Sequence, residues 1–181
     1  MARKETVTKS ILLDAAFAML VEEGIDQVTA RKLAAKANCS TQPIFRIYNN
    51  MEELYADLFA KALASFEEYV LSFPKTTVVP FVSLGNAYIG FAQKYPNVFK
   101  FIFLTNERYG RSLYDMINGE NGNVTKEIQA ATSQGTANAG ELFMKMWMFI
   151  QGAACMSLTG DYDLGENETV SMLKDAYQAF R

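Results

Sequence analysis

The chain has 181 residues, half of them apolar, with 20 acidic side chains against 17 basic ones and no histidine. That is enough apolar material for a real core, and the missing histidine excludes Ser-His and Cys-His nucleophiles and His-ligated metal. The net charge of −3 argues against a polyanion partner as a whole, but residues 1–50 hold seven bases against five acids while the other 131 hold ten against fifteen, a mildly basic head on an acidic body.

In chain order, Val7, Ile11, Ala15 and Met19, flanked by Leu12, Ala16 and Leu20, form a first helical stripe. Gly24 fits the left-handed position after it, with Ile25 set to meet Leu20 as in a Schellman stop. Thr29 predicts the N-cap of a short second helix, stapled by Val28 and Leu33. Asn38 tolerates the left-handed conformation that would end that helix, and Ser40 offers another cap. Proline disfavours helix at the residue before it, so Gln42 is expected to cap the third helix, with Pro43 as its first helical residue and Thr41 and Gln42 extended. Helix, tight turn and helix between Thr29 and Tyr48 is the spacing of a helix-turn-helix.

Asn50 and Glu53 resemble a capping box opening a long fourth helix through Leu54, Leu58, Ala62, Phe66 and Val70, ended by Pro74. A fifth helix is expected from Pro80 to Tyr95, a sixth from Pro96 through Leu104, a loop at Asn118–Asn123 and a seventh helix from about Val124. Leu142, Met146, Phe149, Ala153 and Met156 define an eighth that Gly160 closes, and Val170, Leu173, Tyr177 and Phe180 a ninth. No period-two alternation appears, so the expected fold is all-α with about nine helices. The eighth is apolar nearly all round, which requires burial on several sides.

The two cysteines, Cys39 and Cys155, lack C-x-x-C spacing, which fits a reducing compartment without disulfides. Cys39 reads as a small core residue rather than an oxidant sensor. No secretory signal is legible, and the longest apolar run, Leu142 to Leu158, is interrupted by Lys145 and Gln151, so a cytoplasmic protein is expected. No cofactor motif is present. A carboxylate enzyme built on Asp161 and Asp163 is the chemical rival, but their Gly-flanked position reads better as a solvated turn.

Ile11 to Phe59 resembles the DNA-binding head of the TetR family of transcriptional regulators. The match rests on Ala15-Ala16, Leu20, Gly24, Thr29, Leu33-Ala34, Ala37, Ser40, Ile44-Phe45, Tyr48, Glu53 and Leu54, in order and without a gap. Trp147 to Ala153 is similar, more weakly, to a Trp-x-x-x-x-Gly stretch on the eighth helix of one subtype. The resemblance implies an N-terminal three-helix DNA-binding head, residues 1–49, joined by a long helix to a ligand-binding and dimerisation body, residues 50–181. It implies a homodimer through the eighth and ninth helices, on a palindromic double-stranded DNA operator, with recognition helices about 34–36 Å apart. A small-molecule effector that favours another spacing would release the DNA, making the protein a ligand-responsive repressor; a ligand-independent regulator is the alternative.

Carried onto this chain, the resemblance turns Ser40, Thr41, Gln42, Pro43 and Arg46 toward the major groove, places Thr29 and Arg31 near phosphates, and adds Tyr48 and Lys4 to the DNA-facing set. Gln42 suits adenine, and Arg46 suits guanine or a phosphate. Leu33, Ala34, Ile44, Phe45 and Tyr48 read better as the packing that holds the three helices together. Where the family usually has a tyrosine, a histidine and a lysine on DNA phosphates, this chain has Phe45, Ile47 and Met51. Weaker, less salt-sensitive binding is expected, unless Arg3, Lys4, Lys9 and the helix N-termini compensate. For an apolar, aromatic or cationic effector, Tyr88, Phe91, Phe99, Phe103, Tyr114, Met144, Trp147, Met148 and Gln151 are the candidate lining, though such stripes are more often core.

Overall fold

A computed structural model describes residues 7–181, which form ten α-helices and one 3-10 turn, with no strand among the described residues. The helices are α1 (Lys9–Glu23), α2 (Ala30–Lys36), α3 (Gln42–Ile47), α4 (Met51–Ser72), α5 (Val82–Lys94), α6 (Pro96–Phe103), α7 (Leu113–Asn118), α8 (Asn123–Ser133), α9 (Ala139–Thr159) and α10 (Glu166–Phe180). The count exceeds the expected nine by α7. It has six residues and is held by a local device, a capping box between Ser112 and Asp115, rather than by apolar periodicity. The predicted eighth and ninth helices are α9 and α10.

By compactness the chain forms two units, one of residues 7–65 with Asn97–Tyr109, the other of Phe66–Pro96 with Gly110–Arg181. In the first, Leu12, Ala16, Leu20, Val28, Leu33, Ile44, Leu54 and Leu58 are fully buried. Thr8 caps α1 through a bond from the Ile11 N–H, and Thr29 caps α2 through one from the Lys32 N–H. Tyr55 Oη donates to the Val28 carbonyl (2.8 Å), and the Asn97 amide donates to the Val21 carbonyl (3.1 Å), tying α4 and α6 to the loops around α1. Phe59 meets Phe101 edge-on at 5.6 Å.

The end of α1 and the start of α4 differ from expectation. Gly24 has φ 88° but ψ 169°, a region open essentially to glycine alone, and the chain enters a 3-10 turn at Ile25–Gln27 instead of closing a Schellman motif. That motif ends α2 instead: Asn38 has φ 51°, its N–H reaches the Ala35 carbonyl, and the Cys39 N–H reaches the Ala34 carbonyl. The α4 cap is also rearranged. Asn50 Oδ1 accepts from the Glu53 N–H, but the Glu53 carboxylate reaches back to the Asn49 N–H rather than that of Asn50.

The second unit is built on α5 against α9, with α10 on both. Gly85 makes the approach possible, because a Cβ there would lie 2.7 Å from Ile150 Cδ1. Phe66, Tyr88, Phe91 and Trp147 are stacked edge to face in its core. Phe81 starts α5 in a left-handed conformation (φ 64°), its N–H held by the Glu127 carboxylate. Burial raises the Glu127 pKa above the usual glutamate value, against the smaller opposing pull of that N–H and of Lys75.

Candidate nucleic-acid interface

The helix-turn-helix is assembled by a few buried residues. Leu33 and Ile44 are fully buried, one from each helix, and Tyr48, four residues after Ile44, follows the same inward stripe. Phe45 falls one step off that stripe and is 50% exposed, so its expected role in the packing is corrected: its ring stands on the outer face of α3. Tyr48 takes the packing role expected of it and not the DNA-facing one. Its side chain is 1% exposed, which withdraws it from the DNA-facing set. Burial, then the neighbouring Asp57 carboxylate, pushes its hydroxyl pKa well above the usual tyrosine value.

Ser40, Thr41, Gln42 and Arg46 are exposed and Pro43 is half-buried, so these five lie together at the turn and on the outer side of α3. Thr41 is the N-cap, in a right-handed helical conformation (φ −71°, ψ −20°), and Gln42 is already helical. The expected Gln42 cap is therefore shifted back by one residue. Proline disfavours rather than forbids helix before it, and here Pro43 takes the second position, where its missing N–H costs no helical bond.

Exposed Thr29 and Arg31 sit at the start of α2, and Lys4, with Arg3, lies outside the described residues. The electrostatics separate the described cations sharply. Lys9 pairs with Asp57 (2.6 Å), Lys32 with Glu23 (3.2 Å) and with the Gln27 side chain, and Lys36 with Glu22 (2.8 Å). The last two pairs pin α2 to α1. Arg31 and Arg46 have no such partner among the described residues, so the unneutralised positive charge of residues 7–50 rests on these two. Sequence counting could not find this, because it weighs all bases alike.

In the second unit, the expected effector lining is only partly brought together. Tyr88 Oη donates to Gln151 Oε1 (2.7 Å) and its ring lies 4.7 Å from that of Trp147, with Phe91 linked through Phe66. Tyr88, Phe91 and Trp147 are buried core. Tyr114, Met144 and Met148 are 40%, 52% and 65% exposed, and Phe99 and Phe103 belong to the first unit, their rings 5.1 Å apart. A feature not anticipated is an apolar groove of about 520 Å³ on α9 and α10, lined by Met148, Phe149, Gly152, Met156, Met172 and neighbours.

Several solved structures share this chain's fold over nearly their full length. A TetR family protein from Vibrio parahaemolyticus superposes with TM-score 0.67 at 12% identity, covering 94% of this chain and 96% of that one. A TetR-family transcriptional regulator from Haemophilus influenzae RD gives 0.64 at 18% (94% and 94%), and a TetR-like regulator from Rhodococcus sp. RHA1 gives 0.62 at 15% (97% and 96%). No curated protein sequence matches the chain. No described helix is long and apolar enough to cross a membrane. Residues 12–58, which carry the whole helix-turn-helix, match the model of bacterial regulatory proteins of the tetR family. Residues 12–58 thus match a tetR-family DNA-binding head, on a chain that as a whole shares the fold of these regulators.

Proposed function

We propose that the chain is a homodimeric repressor that reads a palindromic operator with α3 and is released by a small effector. Residues 1–49 act as the DNA-binding domain, and residues 50–181 as the ligand-binding and dimerisation domain. The observation that carries the reading is the exposed set Ser40, Thr41, Gln42 and Arg46 over a fully buried Leu33–Ile44 floor. Gln42 reads adenine through its amide, Arg46 takes guanine or a phosphate, Pro43 packs beside them, and Thr29 and Arg31 hold the backbone. With Phe45, Ile47 and Met51 at the usual anchor positions, phosphate contacts are few and the salt dependence shallow.

The dimer forms through α9 and α10. Gly152 supports this: it is exposed in mid-helix, a Cβ there would meet nothing within 4 Å, and yet glycine costs a helix about 1 kcal/mol relative to alanine. Close approach of a partner helix at the methionine-lined groove gives that glycine a use. Retardation of the DNA upstream of its own gene by the purified protein, followed by a compound screen for release, tests the reading. Specific retardation with release supports it. Specific retardation that no compound reverses favours the ligand-independent regulator, a reading that the buried packing of Tyr88, Phe91 and Trp147 also supports. Absence of specific retardation refutes both.

A further inference from the structure

The second unit holds a smaller cavity, about 350 Å³, away from the expected aromatic lining. It lies between the end of α4 (Tyr69, Phe73), the middle of α5 (Asn86, Ile89, Gly90, Gln93) and the start of α10 with its preceding loop (Leu164, Glu166, Thr169). Asn86 is 4% exposed, and its amide nitrogen has no hydrogen-bond partner among the described residues. Its neighbours on α5 are apolar or small: Leu84, Gly85, Ala87, Tyr88 and Ile89. A buried, unpaired carboxamide lowers stability and gives the packing nothing in return.

Gly90 lies one turn on, over the same cavity. A Cβ there would come within 3.0 Å of Tyr69 Oη and 3.3 Å of a Phe73 ring carbon, so glycine lets the two rings close against α5 at the edge of the cavity. Two residues four apart on one helix face thus border the same void, one with an unpaired amide and the other without a side chain so that the aromatic wall can lie close. The walls complete the chemistry. Tyr69 and Phe73 form an aromatic side, their rings 5.5 Å apart. The Thr169 hydroxyl is already engaged with Tyr162 (2.7 Å). Glu166 and Lys94 both line the cavity, Lys94 Nζ 5.5 Å from the Tyr69 ring centroid, so the lining carries one charge of each sign and favours a neutral guest. The volume is at the low end of the range of about 300–1,000 Å³ for ligand sites.

We propose that this cavity binds a small, flat, neutral aromatic carboxamide or lactam, its ring against Tyr69 and Phe73 and its amide paired with the Asn86 carboxamide. The inference rests on the reading of residues 50–181 as ligand-binding and moves the site from the Tyr88–Trp147 core to this cavity. Its test uses the full chain without DNA, so failure here leaves operator recognition standing, and failure of operator recognition leaves this site.

Benzamide is the probe, with benzoate as the charged comparison, read by saturation-transfer NMR and titration calorimetry. Benzamide binds with a dissociation constant of about 1 mM or below, and benzoate at least tenfold more weakly. Asn86→Leu, close in shape, weakens benzamide at least tenfold while keeping or raising the thermal midpoint, and Gly90→Ala weakens it through the displaced wall. Intermolecular NOEs run from the benzamide ring to Tyr69 and Phe73 of the unmodified chain. No binding at the solubility limit, equal binding by folded Asn86→Leu, or missing NOEs to both rings overturns the proposal, the last whether or not either variant folds.

Discussion

Replacing Met51 by lysine restores one phosphate anchor per head, and its effect follows from the charge distribution. Arg31 and Arg46 are the cations of residues 7–50 without an acidic partner among the described residues, two per head and four per dimer. At about −0.9 per neutralised phosphate they give a slope of log affinity against log salt near −3.6, and engagement of Arg3 and Lys4 as well would bring it to about −7. Met51 is the first residue of α4 and is half-buried, with the acidic Glu52 and Glu53 beside it. A lysine there opposes the helix dipole at a cost of about 0.3–1 kcal/mol in stability, which the fold tolerates. Met51→Lys adds two contacts per dimer and steepens the slope by about 1.8, so that raising salt from about 50 to 200 mM costs roughly twelvefold more affinity than in the parent. Fluorescence anisotropy with a labelled operator across that range measures both slopes. A parent slope near −10, or an unchanged slope in Met51→Lys, refutes the reasoning.

The two free arginines separate by role. Arg46→Ala costs about 1–3 kcal/mol on the preferred site and relaxes preference at one position, whereas Arg31→Ala weakens all sequences alike and reduces the slope by about 1 per head, both read by competition binding. Leu33→Ala destabilises the head by about 2–5 kcal/mol, seen as a lower denaturant midpoint, because a fully buried side chain leaves a cavity. Gly152→Leu dissociates the dimer in sedimentation equilibrium while leaving the helical circular dichroism intact; a variant that remains dimeric contradicts the α9–α10 interface. Glu127→Gln tests the buried carboxylate. Since the folded pKa lies above the ordinary 4.5, the folded protein holds the proton longer, and wild-type stability falls as pH rises from that value through the folded pKa. Gln does not titrate, so the variant is the more stable at pH 7 and the difference closes toward pH 4 in thermal melts.

The long helices were legible because their apolar residues repeat: α4, α9 and α10 fall where Leu54–Val70, Leu142–Met156 and Val170–Phe180 place them. Thr29 and Gly160 were legible as caps, since their chemistry is local; Gly160 takes the left-handed conformation with φ 81° and ψ 11°. Gly24 was assigned the wrong ending because positive φ alone does not fix ψ. Phe45 turns outward although packing was expected of it, and Tyr48, the C-cap of α3, keeps only its packing role, because the family pattern does not say which side of so short a helix each ring takes. The neutralisation of Lys9, Lys32 and Lys36 and the unpaired amide of Asn86 depend on tertiary neighbours 9 or more residues away or on packing between helices, which no local pattern encodes.

The central claim is that α3 reads DNA sequence. The most direct test is selection of bound duplexes from a random pool by the purified protein at moderate salt, repeated with Gln42→Ala. The account predicts enrichment of a two-fold symmetric site whose preference changes at one position per half-site in the variant. Recovery of no preferred sequence by the parent protein contradicts it.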